Sequence, residues 1–101
     1  MEKEKTKQAI QKCRKHLVPD KVILCLKKLF DDSPHGLVAY AIGFEYEKSG
    51  RFKEAVGFYE KAESLFEETI YKNMARFAIN NIVVDVLHAD DKRKKRKKSP
   101  S

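Results

Sequence analysis

An all-α fold of antiparallel helical hairpins is the architecture this sequence predicts, and three observations predict it. Apolar residues recur at three- and four-residue intervals along most of the chain, the spacing of helices that each bury one face. Glycine and proline are scarce, with four and three copies in 101 residues, and no set of alternating segments offers the partners a sheet needs. The breaks between periodic stretches are only a few residues long, which favours antiparallel neighbours. A content of 42% apolar and 37% charged residues suits one small domain with solvated helix faces.

The first helix is expected over Glu4 to Leu17, with Ala9, Ile10, Cys13 and Leu17 as its narrow apolar stripe. Pro19 ends that pattern and suits the first turn of a second helix, whose buried face is Val22, Ile23, Leu26, Leu29 and Phe30. Asp31 to Gly36 reads as a stop followed by a turn. A third helix runs from Leu37 to Lys48 and ends at Ser49-Gly50, where glycine can adopt the left-handed conformation. The fourth, Phe52 to Phe66, aligns Ala55, Val56, Tyr59, Ala62 and Leu65. The fifth spans about Thr69 to His88; its β-branched stretch at Ile82-Val83-Val84 is strand-like, but a lone strand has nothing to pair with.

Residues 1–89 therefore form the helical domain, and residues 90–101 are expected to be a disordered basic tail. Lys92, Arg93, Lys94, Lys95, Arg96, Lys97 and Lys98 account for the entire net charge of +7, leaving residues 1–91 formally neutral. Within the body, residues 2–28 hold nine basic and three acidic groups, whereas 29–91 hold six and twelve, so one end is expected to be positive. The basic run has the composition of a phosphate contact or a nuclear import signal, and equally of a solubilising end. It has no interleaved aromatics, so base recognition is not indicated. Ser99-Pro100 offers a weak phosphorylation site.

No run of about 18 apolar residues is present, and the charged opening Met1 to Lys5 leads into no hydrophobic region. These features lead us to expect a cytoplasmic protein without membrane association, with a nuclear location as an open alternative in a eukaryote. Cys13 and Cys25 fall on apolar helix faces and are expected as reduced core residues rather than a disulfide. Cys13 and His16 have ligand spacing, but Cys25, His35 and His88 are scattered, so no metal site is expected. There is no Gly-rich phosphate loop, no His-Glu-x-x-His and no nucleophile with a base, so neither catalysis nor a cofactor is expected.

The third and fourth helices carry an ordered set of small and aromatic residues. With Gly36 as the first position, Ile42, Gly43 and Tyr46 stand seventh, eighth and eleventh. Gly50, Ala55, Tyr59 and Ala62 follow at fifteen, twenty, twenty-four and twenty-seven. This stretch resembles a tetratricopeptide repeat, a helical hairpin of about 34 residues. It departs from that pattern at Ala39, where the family often has Trp, and at Glu67, where it often has Pro. A degenerate unit precedes it, with Val22, Leu26 and Leu29 in place of Ala55, Tyr59 and Ala62.

The resemblance implies a short right-handed superhelix of stacked hairpins in which Gly43 and Ala55 permit close helix approach. It also implies a peptide-binding groove lined by Leu37, Tyr40, Phe44 and Glu47, with Tyr71, Met74 and Ala78 as the facing wall. The competing expectation is that the fifth helix folds over these side chains and buries them as core. Carboxylate clamping, as some members of the family perform, is not expected: Lys7 and Gln11 suit it only in part, and Ala41, Tyr71 and Ala75 do not. The function implied is non-enzymatic binding of a protein or peptide partner, with homo-oligomerisation as a way to complete a short stack. The alternative is a nucleic-acid-associated accessory protein gripping phosphate with its tail.

Overall fold

The structure, a computed structural model, describes residues 2–84. The basic run at 92–98 and the end of the expected fifth helix lie outside these residues. Five helices follow in order: α1 (Glu2–Arg14), α2 (Pro19–Asp32), α3 (Gly36–Lys48), α4 (Phe52–Leu65) and α5 (Thr69–Ile82). No strand occurs among the described residues, and the β-branched stretch that enters α5 is helical through Ile82. Turns of three or four residues join the helices, so sequential neighbours pack as antiparallel hairpins. The most extensive pairing is α3 with α4, followed by α5 on α4 and α2 on α3; α1 packs on both α2 and α3.

Local chemistry explains the boundaries. Val18 precedes a proline and is extended (φ −96°, ψ 122°), as steric conflict with the proline ring requires. α1 has already ended at Arg14, closed by i→i−3 bonds from the Lys15 and His16 N–H groups, and Leu17, expected on the buried stripe, is 98% exposed. Pro19 then opens α2 at a position where no amide hydrogen is needed. At the end of α3, Gly50 adopts φ 78°. Its N–H bonds to the Glu47 carbonyl at 3.0 Å and the Arg51 N–H reaches the Tyr46 carbonyl at 2.9 Å, the paired closure of a left-handed helix cap.

The main core gathers Ile10 and Cys13 of α1, Val22, Ile23 and Leu26 of α2, Val38, Ile42 and Tyr46 of α3, and Ala55 and Tyr59 of α4. Ile79 and Ile82 of α5 complete it. A second, smaller cluster joins Ala39, Ala62, Phe66 and Ala75 where α3, α4 and α5 meet. Close approach of α3 and α4 depends on Gly43: a Cβ there would stand 2.8 Å from the Tyr59 ring. Gly36 is held as tightly: a Cβ there would stand 2.7 Å from the Phe66 ring.

The expectation of reduced cysteines is corrected. Cys13 and Cys25 form a disulfide that joins α1 to α2. Both residues lie on the faces by which the two helices pack, and this sets their Cα atoms 5.5 Å apart, within bridging range. The position of each cysteine on its own helix carries no information about that proximity.

Candidate functional site

One side of α3 is left partly uncovered. Leu37, Tyr40, Phe44, Glu47 and Lys48 fall on it at helical spacing. Leu37, Tyr40 and Glu47 are half-buried, while Phe44 and Lys48 are exposed. The last helix does not seal this side, because α5 packs on α4 and has no comparable packing with α3.

The middle of the face is held by ring contacts and one hydrogen bond. Tyr40 lies against Tyr59, with ring centroids 5.1 Å apart, and against Phe66 at 6.5 Å. The Tyr59 hydroxyl donates a hydrogen bond of 2.7 Å to Glu47 Oε1. Burial, this hydrogen bond and the Glu47 charge all push the Tyr59 hydroxyl far above the usual tyrosine range. The Tyr40 hydroxyl is also raised, by burial first and then by the Glu47 charge.

The C-terminal end of the face is aromatic and basic. The Arg14 guanidinium and the Lys48 ammonium lie 5.4 and 5.1 Å from the centre of the Phe44 ring. Both cations also reach the buried Glu45: Arg14 Nε is 3.4 Å from Oε2, and Lys48 Nζ is 3.2 Å from Oε1. Glu45 Oε2 is buried and accepts no hydrogen bond; Arg14 and Lys48 together balance the carboxylate's charge. An open cleft of about 260 Å³ lies here, lined by Arg14, His16, Leu17, Phe44, Glu45 and Lys48 among others.

The N-terminal end is aromatic and acidic. A larger cleft of about 400 Å³ is lined by Leu37, Leu65, Phe66, Glu67, Glu68 and Tyr71, with the turn before α3. Phe66 stacks on Tyr71 at 5.3 Å. The 13 residues of α3, which include lining residues of both clefts, span about 20 Å.

Of the expected facing wall, Tyr71 alone joins the α3 face, sharing the acidic cleft with Leu37. Ala78 packs against the main core. Met74 is 39% exposed and lines neither cleft. Sequence reasoning missed Arg14, Glu45 and Phe66. The Glu45–Lys48 spacing was a readable signal, whereas the approach of Arg14 from α1 is a product of tertiary packing. Phe66 was read as the end of a helix, yet it stands just beyond α4 in extended conformation and fills the joint between α3 and α5.

Among the described residues, no group of three or more His, Cys, Asp and Glu is placed to hold a metal ion, and no helix is long and apolar enough to cross a membrane. Comparison with protein-family models, curated proteins and solved structures finds no match to this chain.

Proposed function

We propose that this chain is a non-enzymatic protein–protein interaction module, a tetratricopeptide-like adaptor or assembly subunit that binds a partner through the α3 face. The observation that carries the reading is the placement of Leu37 and Phe44. Each contributes to an open cleft at one end of a single helix face, with the packed and hydrogen-bonded Tyr40–Tyr59–Glu47 group between them. A partly exposed apolar face of this kind, edged with charge, is the usual character of a recognition surface.

The occupant best suited to it is an extended peptide of about six residues, which matches the 20 Å length of the face. A basic side chain of the peptide meets Glu67 and Glu68, apolar side chains enter beside Leu37 and Phe44, and an acidic group meets Arg14 and Lys48. Selection of binders from a random peptide library on the intact protein tests this. Enriched peptides should carry that charge order and lose at least tenfold in affinity with Phe44→Ala or Lys48→Glu. Selected peptides indifferent to both substitutions would refute the reading.

The second reading, nucleic-acid association, rests on the seven consecutive cations at 92–98. It requires binding that weakens steeply with salt and is lost when those seven residues are deleted, whatever the nucleic acid sequence.

A further inference from the structure

The disulfide between Cys13 and Cys25 stands beside the residue that ties α1 to the α3 face. Arg14 follows Cys13 directly, and its side chain reaches both Phe44, 5.4 Å from the ring centre, and Glu45 Oε2, at 3.4 Å. The turn after α1 brings His16 and Leu17 to the same cleft. Three residues lining the basic end of the face therefore belong to α1 or its exit, and they hold their places only while α1 is docked.

Little else holds α1. Among its described residues, Ile10 and Cys13 are buried, Thr6 and Ala9 are half-buried, and the rest are exposed. Residues 2–28 carry nine basic groups against three acidic ones, so α1 and the start of α2 repel each other. A 13-residue helix of this composition is marginal in water without tertiary packing. The Arg14–Glu45 pair is a weak tie, because the Arg14 side chain is 43% exposed. Docking also leaves Glu45 Oε2 buried without a hydrogen bond, which water would supply if α1 left. By contrast, Leu26, Val38, Ile42, Tyr46, Ala55 and Tyr59 come from α2, α3 and α4, so most of the core does not depend on α1.

We propose that the disulfide is a redox latch on the α3 face: a dithiol reductant opens it, α1 is released, and the basic end of the face loses Arg14, His16 and Leu17. Cys25 is half-buried where Cys13 is buried, so its sulfur is the one a thiolate reaches. Lys21 and Lys28, four residues before Cys25 and three after it, share its side of α2 and draw that anion. The thiolate bonds to Cys25 Sγ, the S–S bond breaks, and its electron pair leaves with Cys13 Sγ, which takes up a proton. The second thiol of the reductant then displaces Cys25, which is protonated in turn. The protein gains two electrons and two protons, and the dithiol is oxidised to its own disulfide. The consequence for binding rests on the α3-face reading: the acidic group of the peptide keeps Lys48 and loses Arg14.

The test is nuclear magnetic resonance of the full chain, oxidised and in dithiothreitol, with the variant carrying both Cys13→Ser and Cys25→Ser as a control that the dithiol cannot alter. Reduction should move the Cα shifts of residues 7–14 about halfway or more to coil values while α3 and α4 stay helical. The Phe44 ring resonances should move as they do in Arg14→Ala, and the double variant should match the reduced chain with or without the dithiol. An α1 that keeps its helical shifts on reduction overturns the proposal. So does loss of all five helices together, which would make the bridge a general staple, or a Phe44 ring that does not respond. A library-selected peptide that Lys48→Glu weakens should bind the reduced chain about threefold or more weakly; unchanged affinity with α1 released overturns the regulatory role and leaves the α3 reading standing. Failure to select any peptide falls on the α3 reading alone, because the α1 and Phe44 shifts are read without one.

Discussion

The Tyr59 hydroxyl and the Glu47 carboxylate, twelve residues apart, are joined by a 2.7 Å hydrogen bond that ties α4 to α3. The same Tyr59 ring occupies the space above Gly43 and lies against Tyr40. One side chain thus sets the distance between two helices, fixes the floor of the α3 face and holds the acidic group at its edge.

Replacing Tyr59 by Phe keeps the ring and removes the bond. Glu47, half-buried, loses its partner, and stability should fall by about 1–2 kcal/mol, as expected for a hydrogen bond to a charged group. Urea denaturation checks this, and the slope of the transition should not change.

Alkaline pH should act through the same residue. Tyr59 and Tyr40 both have hydroxyls raised in the folded state above the ordinary value near 10, chiefly by burial. Above pH 10 the unfolded chain releases these protons while the folded chain keeps them, so stability present below pH 10 is lost as pH rises further. Denaturation midpoints measured from pH 8 to 11.5 should fall above pH 10, less steeply in Tyr59→Phe.

Glycines at two positions should respond oppositely to alanine. At Gly43 the added methyl meets the Tyr59 ring at 2.8 Å, and that ring is anchored by Glu47, so Gly43→Ala should cost about 1–3 kcal/mol. Gly57, inside α4, has nothing within 4 Å of the added atom, and Gly57→Ala should stabilise by about 0.5–1 kcal/mol. Thermal melts of the two variants, compared with the parent chain, distinguish these signs.

Free thiols should be absent. Disulfides are rare in reducing compartments, so alkylation of freshly lysed cells before purification reports the state of Cys13 and Cys25 where the protein resides. Cys13→Ser together with Cys25→Ser should lower stability by about 2–3 kcal/mol, the loss expected on opening a loop with a separation of 12 residues.

Much of the helical layout was legible because local rules dominate it. Pro19, the Ser33-Pro34 turn and Gly50 each stop or start a helix by backbone chemistry that a single residue carries. Gly43, Ala55, Tyr46 and Tyr59 announced a close α3–α4 contact because small and bulky residues alternate in register. Leu17 misled because the apolar periodicity runs on for one more turn after α1 has ended at Arg14. The candidate face was legible along α3 and, across from it, at Tyr71. Its ends draw on Arg14 from α1 and on Phe66 from the turn after α4, and such meetings between distant segments leave no periodic trace. The cysteine bridge was hidden for the same reason: each residue looks like ordinary core on its own helix.

Amide chemical-shift mapping of the intact protein, titrated with a library-selected peptide, tests the central claim most directly. The account predicts that the largest shifts fall at Leu37, Phe44, Lys48, Tyr71 and Arg14, the residues bordering the two clefts. Shifts confined to the outer face of α5 or to residues 92–98, with α3 unmoved, would contradict it.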